Sequence, residues 1–302
     1  MKRKLIIAAG TGFLGKVLSN YFKETYDIII LTRQQSKTIN NITYINWDAK
    51  KMGSWQQHLE NAYALINLTG KSVNCRYTNK NKATIMSSRI DSTEILNKGI
   101  LMCKTPPIHF INASTATIYV DSHNKLMTEK NGDIGNDFSM TVAKTWEEAF
   151  FKTKTSNTLK TSIRTSIVLG NDGGAFPMLK KLVNLGLGGY QGNGAQKISW
   201  IHEIDFARSI AFILKKQLTG AINITAPTPI SNHHFMQHLR KHSNISIGIN
   251  TPTLLLKLGA KVIGTETELI LKSRNVYPER LMKERFEFKY PTVESAIQNL
   301  LA

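Results

Sequence analysis

The chain has 302 residues, 41% of them apolar and 20% charged, with 39 Lys plus Arg against 21 Asp plus Glu for a formal charge of +18. That leaves room for about two domains of roughly 150 residues around a sizeable core, and it excludes an intrinsically disordered chain. No run approaches the roughly 18 uninterrupted apolar residues of a membrane span, and a balance this basic favours anionic partners such as nucleotides or phosphorylated substrates.

Leu5 to Ala9 is wholly apolar, as suits a strand covered on both faces. With Lys2-Arg3-Lys4 before it, the run mimics a signal peptide. It ends at once at Gly10, Gly12 and Gly15, so it reads instead as a buried strand with a basic leader in a cytoplasmic protein. Leu14, Val17, Leu18, Tyr21 and Phe22 then fall on one helix face, and Ile28 to Leu31 forms the next strand, completing a βαβ unit. Further strands are predicted at 43–46, 64–68, 108–112 and 162–169. Helices are predicted through Ile85, Ile90, Ile95 and Leu96, and over 142–151. This alternation predicts an α/β protein with a doubly wound parallel (Rossmann) sheet.

The texture changes after Gly170: Gly173-Gly174 and the run Gly186, Gly188, Gly189, Gly192, Gly194 mark loops. Ala221 to Ile224 reads as a returning strand, and Pro227 and Pro229 open a helical C-terminal region. The expected division is a nucleotide-binding domain of 1–170 plus about 203–226, and a smaller substrate-binding domain of about 171–202 plus 227–302. Cys75 and Cys103 form no Cys-x-x-Cys pair and no disulfide framework, in keeping with a reducing cytoplasm.

Gly10-Thr11-Gly12-Phe13-Leu14-Gly15 fits Gly-x-Gly-x-x-Gly between a strand and an amphipathic helix. In that context the glycines allow a tight turn, close approach of a pyrophosphate, and helix–sheet packing, while the helix N-terminus offers free N–H groups. A phosphate-binding loop of the kinase type is excluded, because Val17 stands where Ser or Thr must follow Lys16. The second strand ends in Thr32-Arg33, with Lys37 beyond, rather than in the acid that would bond a ribose 2′-hydroxyl. Arg33 suits a 2′-phosphate, so the expected cofactor is NADP(H).

Other features read more plainly. His234, His238 and His242 share one helix face, but no His-Glu-x-x-His pattern accompanies them, and solvated histidines with no metal are expected. The basic residues are scattered, without a zinc finger, an RNA-binding aromatic motif or a helix-turn-helix. Expected partners are a small anionic substrate and at most a second copy of the chain, with no specific nucleic acid and no membrane.

Taken in order, the motifs resemble the extended, epimerase-like branch of the short-chain dehydrogenase/reductase superfamily, and within it the subgroup called epimerase family proteins. Beside the glycine turn they are Trp47-Asp48, Asn67-Leu68-Thr69-Gly70, Ser88-Arg89, Trp146-Glu147, Arg164 to Gly170, Gly173-Gly174, Leu185 to Gly189, Ser199-Trp200-Ile201-His202, Ala226-Pro227 and Phe286 to Pro291. The resemblance spans nearly the whole chain. It implies that Gly10, Thr11, Gly12, Phe13, Leu14, Thr32, Arg33, Leu68, Thr69, Gly70, Arg89 and Ser114 contact the cofactor. Three departures stand out: Ala9 and Thr69 replace the usual Gly and Ala, and Lys71 replaces a Glu, which makes the site more cationic.

In extended members a Ser or Thr ends the fifth strand, and a Tyr-x-x-x-Lys pair on the next helix does the acid–base work. By that match Thr115 takes the hydroxyl position and Lys144 the lysine position, but the tyrosine position is Met140. Tyr119, four residues after Thr115, is the nearest candidate replacement acid, with packing as its alternative role, and Cys75, Arg76, Lys71 and His202 are the other candidates. His202 and Asp205 are expected to make structural bonds at a strand-to-helix junction. The implied activity is NADP-dependent oxidoreduction or epimerisation of a small hydroxyl or carbonyl substrate, a class that includes nucleotide sugars; the alternative is a non-catalytic NADP(H)-binding sensor or regulatory module.

Overall fold

Alternation of side chains on short apolar strands organises the molecule, and the computed structural model describes residues 2–263 and 266–302. The first half comprises β1 (Arg3–Ala8), α1 (Phe13–Phe22), β2 (Tyr26–Thr32), β3 (Lys37–Ile39), β4 (Ile42–Asn46), β5 (Ala64–Asn67), α2 (Asn79–Leu101), β6 (His109–Thr115), α3 (Phe138–Lys152) and β7 (Leu159–Thr165). There follow β8 (Ile167–Gly170), β9 (Gly173–Gly174), α4 (Phe176–Asn184), β10 (Lys197–Ile198), β11 (Trp200–His202), α5 (Glu203–Lys216), β12 (Gly220–Ile224) and β13 (Ile230–Ser231). The chain then runs through α6 (Asn232–His242), α7 (Thr253–Ile263), α8 (Glu268–Leu271), α9 (Glu279–Lys283) and α10 (Val293–Leu301).

The main sheet has the order β12-β7-β6-β5-β1-β2-β4-β3. Its neighbours pair in parallel except for the antiparallel β3–β4 edge. From β1 the chain moves outward through β2 and β4, then returns to the opposite side of β1 at β5. That reversal opens a crevice at the carboxyl ends of β1 and β5, where doubly wound folds bind nucleotides. Register fixes what lines it: Ala8 pairs with Leu31 and Asn67, Asn67 with Asn112, and Thr115 with Thr165. The glycine turn, Arg33, Leu68 to Gly70 and Thr115 therefore follow strand ends on one side of the sheet.

Both faces are buried. Leu5, Ile7, Ile28, Ile30 and Ile66 point to the face carrying α1 and α5, where Leu18, Phe22, Phe206 and Ile210 meet them. Ile6, Ala8, Leu31 and Leu65 point the other way, onto Trp55, Leu96, Ile100 and Phe150. Burial of each such side chain contributes roughly 1.5–3 kcal/mol. A separate core joins Phe176 and Val183 of α4, Phe235, Met236 and Leu239 of α6, and Val293, Ile297 and Leu300 of α10 around Trp200. Among the described residues no helix is long and apolar enough to cross a membrane.

Several predicted bounds move. The single strand expected over 162–169 is two: β7 lies in the main sheet, whereas β8 joins a three-stranded sheet ordered β11-β8-β9. The β3–β4 hairpin was not foreseen, and α3 begins at Phe138, where the Asp137 side chain accepts from the Met140 N–H.

Candidate functional site

The glycine turn divides its work among its residues. An added Cβ at Gly15 would lie 2.3 Å from the Gly10 carbonyl oxygen, so this glycine lets α1 pack on the turn. A Cβ at Gly10 would press on Ile7 and Ile30 at 3.0–3.1 Å. At Gly12 the nearest atom to such a Cβ is the Ala9 oxygen at 3.9 Å, so this position faces open space. Gly12 is the N-cap of α1, no side chain caps the helix, and its first turn holds no acid. The turn thus offers uncapped helix N–H groups beside a glycine that leaves room for a ligand, which fits an anionic pyrophosphate. Ala9 adopts a left-handed conformation, φ 59°, which a glycine would take without strain.

Thr11 and Leu14 are half-buried in the turn and at the start of α1. The Phe13 ring fills the space beside Gly173 and Gly174; a Cβ at Gly173 would lie 2.6 Å from it. That close approach explains the paired glycines, and it ties the glycine turn to the β8–β9 hairpin.

At the end of β2, Thr32 is buried, with its hydroxyl accepting from the Gln34 N–H at 3.3 Å. Arg33 is exposed, and the Arg33 and Gln34 carbonyls accept from Asn46 Nδ2. After β5, the Leu68 N–H donates to the Ala8 carbonyl and the Thr69 N–H to Asn67 Oδ1. Thr69 Oγ1 is buried without a hydrogen-bond partner among the described residues. Gly70 leaves room for Arg89, whose guanidinium carbon would lie 3.0 Å from a Cβ there. Arg89 donates to the Lys71 and Ile85 carbonyls and stacks over Trp146 at 5.0 Å. Burial pushes its pKa down to about 10. A cation held by neutral partners beside the crevice favours an incoming anion.

Each of the acid–base positions has its own local partners. Thr115 ends β6, half-buried, with its hydroxyl accepting from the Thr117 N–H at 3.2 Å and lying 3.1 Å from Thr117 Oγ1. Lys144 donates to Asn136 Oδ1 at 2.7 Å. Met140 is buried, its sulfur against Gly135, so this turn of α3 presents no proton-transfer group there.

Two expectations need correction on physical grounds. Tyr119 is only 1% exposed; its hydroxyl donates to Asn223 Oδ1 at 2.9 Å and accepts from Arg164 Nη1 at 2.8 Å. Burial pushes its pKa up, and the geometry supports the packing role over the acid. Ser114 likewise donates to Glu147 Oε1 at 2.7 Å, and Glu147 also binds Ser162 and Arg164. Its hydroxyl belongs to this buried network, so its side chain is not turned to a cofactor.

Tyr77, which the sequence reading passed over, stands beside the N-terminal turn of α3. Its ring meets Phe138 edge-on at 4.9 Å, one residue before Ser139 and two before Met140. Burial pushes its pKa up to about 12. Ser139 donates to Glu268, and Lys272 bridges Glu268 and Asp137. No local signal in the sequence marks this tyrosine, because its neighbours come from α3 and α8.

The junction residues behave as expected. His202 caps α5, with Nδ1 accepting from the Ile204 N–H at 3.0 Å. Asp205, fully buried, accepts from the Lys289 and Tyr290 N–H groups at 2.8 Å each.

Residues 5–225 match the model of the NAD dependent epimerase/dehydratase family, and residues 251–300 match a domain of unknown function, DUF1731. An epimerase family protein of Staphylococcus epidermidis is 33% identical over 304 residues, covering 100% of this chain and 99% of that one. Another, of Bacillus subtilis, is 30% identical over 301 residues, covering 99% and 98%. The crystal structure of a human epimerase family protein with NADPH shares the fold at a TM-score of 0.87, with 24% identity over 99% of both chains. A nucleoside-diphosphate sugar epimerase from Corynebacterium glutamicum gives a TM-score of 0.78 and 25% identity, over 100% of this chain and 58% of that one.

Proposed function

This chain belongs to the NAD-dependent epimerase/dehydratase family, and on that premise we propose an NADP(H)-dependent oxidoreductase or epimerase acting on a small anionic hydroxyl or carbonyl compound. The observation that carries the reading is the open, uncapped turn at Gly12 together with an exposed arginine, rather than an acid, closing β2. The human relative with NADPH supports the same choice. When bound, the nicotinamide supplies or accepts a hydride.

The chain's own groups do the rest. The amides at the start of α1 hold the pyrophosphate, and Arg33 pairs with a 2′-phosphate. Leu68, Thr69 and Gly70 line the crevice, and Arg89 attracts the anion. Thr115 hydrogen-bonds a substrate oxygen and fixes its position. Tyr77, beside the N-terminal turn of α3, is the candidate proton donor to that oxygen.

A second reading has its own observation. Met140 is buried and the Tyr119 hydroxyl is fully engaged, as befits a module that binds NADP(H) without turnover. Calorimetry and a substrate panel separate the two. NADPH is expected to bind at least tenfold tighter than NADH, about 1.4 kcal/mol, and Arg33→Ala is expected to erase most of that gap. Equal affinities in the wild type would overturn the cofactor assignment. Tight NADPH binding with no oxidation across a panel of carbonyl compounds and nucleotide sugars would favour the binding module.

A further inference from the structure

Away from the cofactor crevice, α6 and α10 pack along Phe235, Met236, Leu239, Val293, Ile297 and Leu300. At one end of this seam His238 and His242, one turn apart on α6, stack their rings at 6.4 Å with planes 8° apart. Glu294, in the first turn of α10, reaches the same place. Each of the three offers one ligand atom within 4.8 Å of the other two. We propose that His238, His242 and Glu294 form a binding site for one divalent transition-metal ion, zinc above all, that clamps α10 to α6.

Three observations converge on a metal. First, the donors are two imidazoles and a carboxylate, a set that borderline cations such as zinc accept in tetrahedral geometry. Second, His238 Nδ1 and His242 Nε2 are buried without hydrogen-bond partners among the described residues. Unpartnered buried nitrogens are costly, and a cation satisfies lone pairs that no protein donor reaches. Third, His242 Nε2 lies 3.4 Å from Glu294 Oε1, yet the two are not aligned as a hydrogen bond. Two ligands each about 2.0–2.1 Å from a tetrahedral zinc stand roughly 3.3–3.4 Å apart.

Competition is weak. Lys241 lies 3.5 Å from Glu294 Oε1, but its side chain is 69% exposed, and such surface pairs hold their partners loosely. The Glu294 side chain is 44% exposed, so solvent can supply the remaining ligand. His234, one turn earlier, has Nδ1 3.0 Å from Ser231 Oγ at the helix cap and is not a ligand. The pairing with Glu294 joins residues more than fifty positions apart, which explains why the histidines read as solvated from sequence.

The test uses the full-length chain without an affinity tag, stripped with chelator and titrated with Co²⁺. We expect one ion per chain, the visible absorption of tetrahedral Co²⁺, displacement by Zn²⁺, and a thermal midpoint raised by Zn²⁺. His242→Gln and Glu294→Gln should each weaken Co²⁺ binding at least tenfold, whereas His234→Ala should leave it unchanged. NADPH binding and circular dichroism check that each variant is folded. No stoichiometric Co²⁺ binding in the wild type would overturn the proposal, as would unchanged affinity in folded His242→Gln or loss of binding in His234→Ala.

Discussion

The tyrosine hydroxyls show how far a residue's chemistry depends on neighbours distant in sequence. Four residues after Thr115, Tyr119 has the right functional group in the right stretch, yet its partners Arg164 and Asn223 are 45 and 104 residues away. No local pattern reveals that they consume it. The glycine turn was legible for the opposite reason: its demands on backbone and Cβ are met within six consecutive residues. Tyr119→Phe should therefore cost about 1–3 kcal/mol of stability, because Asn223 Oδ1 loses a donor in a buried site, while NADPH affinity and turnover stay near wild type. Tyr77→Phe should do the reverse, lowering turnover on an identified substrate with stability and NADPH affinity little changed. Urea midpoints, calorimetry and kinetics on both variants decide the roles, and a Tyr119→Phe enzyme that is stable but inactive would restore Tyr119 as the acid.

Among the elements, strands and helices that bury a clear periodic face were readable, and breaks imposed by tertiary partners were not. Residues 162–169 contain no glycine or proline and read as one strand, but β7 pairs with β12 up to Thr165, whereas β8 pairs with β11 from Ile167. The Ser166 and Ile167 amides donate to the Ile224 and Ser199 carbonyls, which marks the change of partner. The β8–β9 hairpin that results carries Gly173 against Phe13. Gly173→Ala should overpack this contact, costing about 1–3 kcal/mol, and should weaken NADPH binding by shifting the start of α1. Combining it with Phe13→Ala should recover most of the stability, a coupling of about 1 kcal/mol or more. Additive losses in the urea midpoints would show that the ring does not connect the hairpin to the turn.

Across the whole molecule, the response to acid rests on histidines that folding keeps neutral. His109 lies in β6 with Nε2 2.7 Å from Thr161 Oγ1, and His202 lies under the Tyr290 ring at 4.0 Å. Burial pushes both pKa values down to about 4. The unfolded chain, with histidines near 6.5, binds protons first as the pH falls. Each histidine's contribution is thus fully present above about pH 6.5 and is lost toward pH 4, by about 1.4 kcal/mol per pH unit through most of that window. Glu129, Glu203 and Asp205 act in the opposite sense, because burial raises their pKa values and the folded state takes up their protons first. A difference between variants isolates one histidine from that background. In His202 a proton would have to enter at Nδ1, which accepts the Ile204 N–H, so charging the ring also removes the cap of α5. Asparagine keeps an acceptor at that position without titrating. Urea unfolding of His202→Asn between pH 4 and 6.5 should give a stability slope lower than wild type by about 1.4 kcal/mol per pH unit. Parallel curves would mean that His202 is already charged in the folded protein, and that the α5 cap is held by another group.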